Sequence, residues 1–172
     1  MTIKNTGLKI IYSFVLVALA AVAVFAQDKF SDPNVDYSFD VPSDNWKMTV
    51  KPSATSPNVE YVFNDRRDAH LEVRKLSVSA SAKLSDIIRD EETKLQFFPG
   101  YVAGKQESFN GKSAGGIFNF EFVRSGKSQA GRFYFLKAND TTYYVLRFTG
   151  FRDKLRTIRN ETDQIARTFS VK

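Results

Sequence analysis

The chain has 172 residues, with 25 lysines and arginines against 19 aspartates and glutamates, a formal charge of +6. It contains no cysteine and a single histidine, which excludes disulfide staples, thiolate nucleophiles and histidine- or cysteine-rich zinc cages built within one chain. Hydrophobic residues at 42% and aromatic residues at 14% supply a substantial core, and charged residues at 26% match an ordinary soluble surface, so disorder over most of the length is excluded as well.

At the N-terminus, Lys4 and Lys9 precede an apolar run from Ile10 to Phe25, and Val24-Phe25-Ala26 leaves small residues at the two positions a signal peptidase reads. The pattern predicts an export signal over residues 1–26, cleaved between Ala26 and Gln27, and a mature protein that is periplasmic or secreted. The apolar run has 16 residues, short of the roughly 20 of a spanning helix, and Gln27-Asp28-Lys29 follows it directly. No stable membrane span is expected after cleavage; an uncleaved signal would leave the protein tethered. Without Lys4 and Lys9, 23 basic residues face 19 acidic ones, about +4. That field attracts anionic surfaces weakly, is screened beyond about 8 Å in physiological salt and gives no argument for nucleic acid. The remainder suits one domain over residues 35–172, preceded by a flexible stretch at 27–34.

Tyr37, Phe39 and Val41 alternate with Ser38 and Asp40, the period of a strand with one buried face, and Pro42-Ser43-Asp44-Asn45 predicts a hairpin turn before Trp46. Lys51 to Asn58, with two prolines and no periodicity, is a surface loop. Two strand-like runs, Val59 to Asn64 and Ala69 to Val78, are joined by the polar Asp65-Arg66-Arg67-Asp68. From Leu84 the period changes. Leu84, Ile87, Ile88, Leu95 and Phe98 line an apolar helical stripe interrupted only by Glu91, with Ser81 as its cap and Pro99-Gly100 as its stop. Tyr101 to Phe109 leads through Asn110-Gly111, a strong hairpin signal, into strands at Gly116 to Arg124, Gly131 to Ala138 and Thr142 to Thr149. Phe151, Leu155, Ile158, Ile165 and Phe169 predict a second helix running to the C-terminus.

The late strands are apolar on both sides. Phe118, Phe120 and Phe122 oppose Ile117 and Val123; Phe133 and Phe135 oppose Tyr134 and Leu136; Tyr144, Leu146 and Phe148 oppose Tyr143 and Val145. A sheet wetted on one face would alternate with polar residues, so both faces are expected to be covered, one helix on each.

This order of elements resembles the PsbP-like superfamily over about residues 35–171. The resemblance is carried by Tyr37-Ser38-Phe39-Asp40-Val41-Pro42 followed by Trp46, by the mid-chain helix and the four strands after it, and by the closing Ile165-Ala166-Arg167-Thr168-Phe169. It implies an α+β fold in which an antiparallel sheet lies between helices, an α/β/α sandwich. It also implies a binding or assembly role without an agreed catalytic motif, so no catalytic residue and no cofactor are carried over.

Five features are weighed for chemistry. Strand spacing puts Asp68, His70 and Glu72 on one face, where an imidazole between two carboxylates would hold a divalent metal; with Arg74 continuing the row, the alternative is a solvated polar face. Gly111-Lys112-Ser113 and Gly126-Lys127-Ser128 lack the earlier glycine and following helix of a phosphate loop and are hairpin turns. Arg152, Arg156 and Arg159 line one side of the last helix and would dock an acidic partner, unless Asp153, Glu161 and Asp163 neutralise them locally. Arg66 and Arg67 would join that surface or form a plain charged tip. Trp46 is a core plug or faces a ligand. The expected function is a secreted, non-enzymatic protein-binding or assembly domain of the PsbP-like type, with an extracytoplasmic small-ligand or metal-binding module as the alternative.

Overall fold

A computed structural model describes residues 28–172; the expected export signal and the Ala26–Gln27 junction lie outside the described residues. In chain order the elements are β1 (Asp28–Ser31), β2 (Tyr37–Val41), β3 (Trp46–Val50), β4 (Val59–Phe63), β5 (Ala69–Ser77), α1 (Leu84–Leu95), β6 (Val102–Asn110), β7 (Ala114–Arg124), β8 (Lys127–Asn139), β9 (Thr142–Phe151), α2 (Arg152–Thr157), α3 (Arg159–Thr168) and β10 (Ser170–Val171). Seven strands form a large antiparallel sheet in the order β3-β4-β5-β9-β8-β7-β6, and β1, β2 and β10 form a smaller one centred on β2.

The doubly apolar strands divide two cores. On one face Phe118, Phe120, Phe122, Phe133, Phe135, Tyr143 and Val145 pack beneath Ile87 and Ile88 of α1. On the other, Ile117, Tyr134, Leu136, Tyr144, Leu146 and Phe148 meet Leu155, Ile158, Ile165 and Ala166 of α2 and α3. Helices are only part of the cover on that second face. The small sheet contributes Phe30, Tyr37 and Phe39 to the same core, so the expected layer of helix alone is a mixed layer of strand and helix.

Four local expectations are corrected. Residues 28–31 are a strand and not part of a flexible stretch, because Phe30 is buried against Phe39 at 4.8 Å and Tyr61 at 6.2 Å between ring centres. Strands β2 and β3 do not form a hairpin; they enter different sheets. The last helix is broken at Ile158, whose dihedrals (φ −96°, ψ 18°) separate α2 from α3. Lys83, without a side-chain cap, precedes α1 in place of Ser81. Both Gly-Lys-Ser triplets sit at hairpins: residues 111–113 link the paired Asn110 and Ala114, and Ser125-Gly126, with φ of 52° and 72°, the left-handed pair that a two-residue hairpin requires, lead into Lys127 and Ser128 of β8.

Trp46 is a core plug. Its ring lies between Phe63 and Phe148, at 5.3 and 5.8 Å, and its indole N–H donates to Glu161 Oε2 at 3.0 Å. The Ser43 hydroxyl donates to the same oxygen at 2.8 Å, so the turn before β3 is tied to α3.

Candidate functional site

Strands β7 and β8 and the start of the C-terminal helices enclose a cleft of about 420 Å³ lined by Arg132, Arg152, Arg156 and Arg159, together with the β6 backbone at Ala103 and Gly104. The break at Ile158 does not scatter the three helical arginines; α2 carries two, α3 begins with the third, and all reach the same cavity.

Arg132 is the buried member. Its position on β8, on the same side as Tyr134 and Leu136, puts a guanidinium inside the second core, where a charge needs partners. It finds them in full: Nε donates to the Tyr134 hydroxyl at 2.6 Å, and the terminal nitrogens donate to Asn119 Oδ1 at 2.7 Å and Asp163 Oδ1 at 2.8 Å. Burial alone would lower its pKa, but Tyr134 and Asp163 hold it above the ordinary value. Burial also pushes the Tyr134 phenol up, against the pull of Arg132, so its hydroxyl stays protonated and donates to Asp163.

The acidic residues that would neutralise the stripe are mostly committed elsewhere. Glu161 accepts from Trp46 and Ser43, and Asp163 accepts from Arg132 and Tyr134. Arg152 meets Glu121 at 3.5 Å and Asp153 at 3.6 Å, Arg159 reaches Glu107 only at 3.9 Å, and Arg156 forms no ion pair among the described residues. The rim therefore keeps excess positive charge over a buried arginine that is already satisfied.

Arg66 and Arg67 do not join this cleft. They sit on the turn between β4 and β5, pair with Glu60 at 3.4 Å and Asp65 at 3.1 Å, and line a separate cavity with His70. Nor do Asp68, His70 and Glu72 converge on a metal position. Asp68 precedes β5 and accepts from Asn64, the His70 ring is paired with Glu60 at 2.8 Å, and Glu72 is taken by Arg74 at 2.5 Å and Arg147 at 3.6 Å. Among the described residues no group of three histidine, cysteine, aspartate or glutamate side chains is placed to hold a metal ion. Arg132, Asn119 and the ion pair between Arg147 of β9 and the buried Glu91 of α1 were not singled out from the sequence. Arg132 had a signal, a charge on the apolar side of its strand; Asn119 had none.

No family model matches the chain, and no curated protein matches it in sequence. Solved structures do. Cyanobacterial PsbP from Synechocystis sp. PCC 6803 superposes with a TM-score of 0.61 at 14% identity, covering 91% of this chain and 99% of its own. The chain has the PsbP-like fold. The same PsbP-like arrangement is found in the Ran-binding protein Mog1p of Saccharomyces cerevisiae, with a TM-score of 0.61 at 11% identity over 84% of this chain and 95% of that one. It recurs in LpqN of Mycobacterium tuberculosis, involved in cell envelope biogenesis, with a TM-score of 0.52 at 15% identity over 85% and 91%. At these identities the likeness is one of fold, and the PsbP-like scaffold leaves the chemistry of the cleft to this chain's own arginines.

Proposed function

We propose that the chain is an exported, non-enzymatic binding or assembly domain that holds an acidic protein partner in the cleft between β7, β8 and the α2–α3 break. The observation that carries this reading is the inward commitment of Glu161 and Asp163, which leaves Arg156 without an ion pair among the described residues and Arg152 and Arg159 loosely paired at the rim. Arginine suits this task, because its planar fork grips a carboxylate with two parallel bonds and keeps its charge at every physiological pH. Such groups hold a charge and do not shuttle protons near neutrality, which supports binding over acid–base catalysis. A fold shared with a Ran-binding protein and with a protein of envelope biogenesis supports the same direction. Export rests on the basic, then apolar, then small-residue pattern of residues 1–26.

The test is capture of partners from envelope extract by the tagged mature domain beside a variant carrying Arg152→Glu, Arg156→Glu and Arg159→Glu. The proposal expects one stoichiometric acidic protein with the natural sequence and none with the variant. Equal capture by both, with the variant folded, would remove the cleft from the account.

A further inference from the structure

The face of the large sheet beneath α1 is covered along only part of its length. Ile87 and Ile88 pack on it, but α1 ends at Leu95, and the chain turns away at Pro99-Gly100, where the Pro99 carbonyl accepts from the Val123 amide at 2.7 Å. Beyond that turn two cavities lie over the sheet. One cavity of about 560 Å³ is walled by Leu95, Phe98 and Pro99 over Phe122 and Phe133. A second, of about 410 Å³, is rimmed by Arg66, Arg67, Arg124 and Lys127. The two share His70, Phe122, Arg124, Ser125 and Thr149 in their walls, so they form one trough, apolar at one end and cationic at the other.

The register builds this polarity. His70 pairs with Thr149 and Gly131 with Thr149 across the floor, and Phe122 pairs with Gln129 one step outward. Arg124 and Lys127 then face each other across the hairpin that closes β7 and β8. Among the described residues no carboxylate lines the cationic end. Arg124 and Lys127 form no ion pair among the described residues, and Arg66 and Arg67 are tied only to neighbours on their own hairpin. Lys127 Nζ stands 5.3 Å from the centre of the Phe151 ring, which holds a cation over apolar surface. At the apolar end the one acidic side chain, Glu72, is already paired with Arg74 and Arg147.

We propose that this trough binds a single-chain amphiphile with an anionic head, the head among Arg66, Arg67, Arg124 and Lys127 and the chain in the cavity lined by Leu95, Phe98, Phe122 and Phe133, beside the Phe98–Phe122 ring contact at 5.1 Å. Each volume lies within the roughly 300–1,000 Å³ of small-molecule sites, and the join of an apolar half to a cationic half matches one molecule carrying both chemistries. An inorganic anion would leave the apolar half wet, and a neutral lipid would leave Arg124 and Lys127, which form no ion pair among the described residues, unanswered. This site is independent of the arginine cleft, whose helices α2 and α3 cover the opposite face of the sheet.

Calorimetric titration with dodecanoate monomer, beside dodecanol and acetate, tests the proposal. Saturable binding of dodecanoate is expected at one site, at least about tenfold tighter than either control, since a charge-assisted contact is worth more than about 1.4 kcal/mol. Arg124→Glu with Lys127→Glu, both exposed, should weaken dodecanoate about tenfold or more and leave dodecanol unchanged. Phe98→Ala should weaken both ligands. The triple cleft variant at Arg152, Arg156 and Arg159 should bind dodecanoate as the natural protein does. Dodecanoate should shift the amide resonances of Phe122 and Thr149, a readout that needs no variant. No saturable binding, an affinity equal to that of dodecanol, shifts confined to other strands, or preferential uptake of an acidic peptide would each overturn it.

Discussion

Glu91 lies between Ile88 and Leu95 on the inner side of α1, where a carboxylate must find a partner or give up its charge. Arg147 on β9 and Lys94 one turn later supply two, and Arg147 also reaches Glu72. Removing one member of a buried pair costs more than the pair contributes, because the other charge is left behind. Glu91→Ala should therefore destabilise the domain by about 3 kcal/mol, at the low end of the range since Arg147 keeps Glu72; urea unfolding measures it. The sequence marked Glu91 as an interruption of the stripe but could not name Arg147, which is brought beside it only when α1 folds back onto β9. Asp36 gives a pH-dependent counterpart. Burial raises its pKa, but donation from Tyr144 and Lys75, its backbone amide and the Lys75 charge together bring it below the ordinary 3.8. A carboxyl lowered in the folded state stabilises above its unfolded pKa and loses that contribution as pH falls. Stability should thus decline below about pH 4, and Asp36→Asn should flatten that part of the profile in pH-stepped urea melts.

At the scale of elements, strand and helix periods placed β2, β4, β5, α1, β7, β8 and β9, since each carries its own local pattern. What failed were elements defined by distant partners. Strand β1 reads as a polar run around one phenylalanine, and only pairing with β2, and burial of Phe30 against Phe39 and Tyr61, makes it a strand. Phe30→Ala should therefore lower stability by about 3–5 kcal/mol, whereas a flexible segment would tolerate it; thermal unfolding decides. The turn at Pro42-Ser43-Asp44-Asn45 was read correctly as a turn, but a turn signal is the same whether its flanking strands pair or diverge. Here the Trp46–Glu161 bond draws β3 toward α3 and into the other sheet. Trp46→Phe keeps a smaller aromatic ring in the plug and removes that bond. It should cost about 1.5–3 kcal/mol, the worth of a hydrogen bond to a charged group, as read from the denaturation midpoint.

Across the whole molecule, one antiparallel sheet separates two aromatic cores, and the C-terminal helices that close the second core also carry the arginines of the cleft. The PsbP-like fold was legible because Tyr37, Phe39, Val41, Trp46, Ile165, Ala166 and Phe169 of the matching segments pack into that second core. The cleft was legible by half. Spacing put Arg152, Arg156 and Arg159 on one side, but the fate of their neutralising acids was set by contacts with Trp46, 115 residues from Glu161 in sequence, and with Arg132. Those contacts turn a compensated helix face into a cationic one. The most direct measurement is the dissociation constant of the captured acidic partner across salt, from about 0.05 to 0.5 M, where the screening length shrinks severalfold. The account predicts steep weakening with salt for the natural sequence and a weak, salt-insensitive constant for the triple arginine-to-glutamate variant. The same affinity and the same salt slope in both proteins would contradict it.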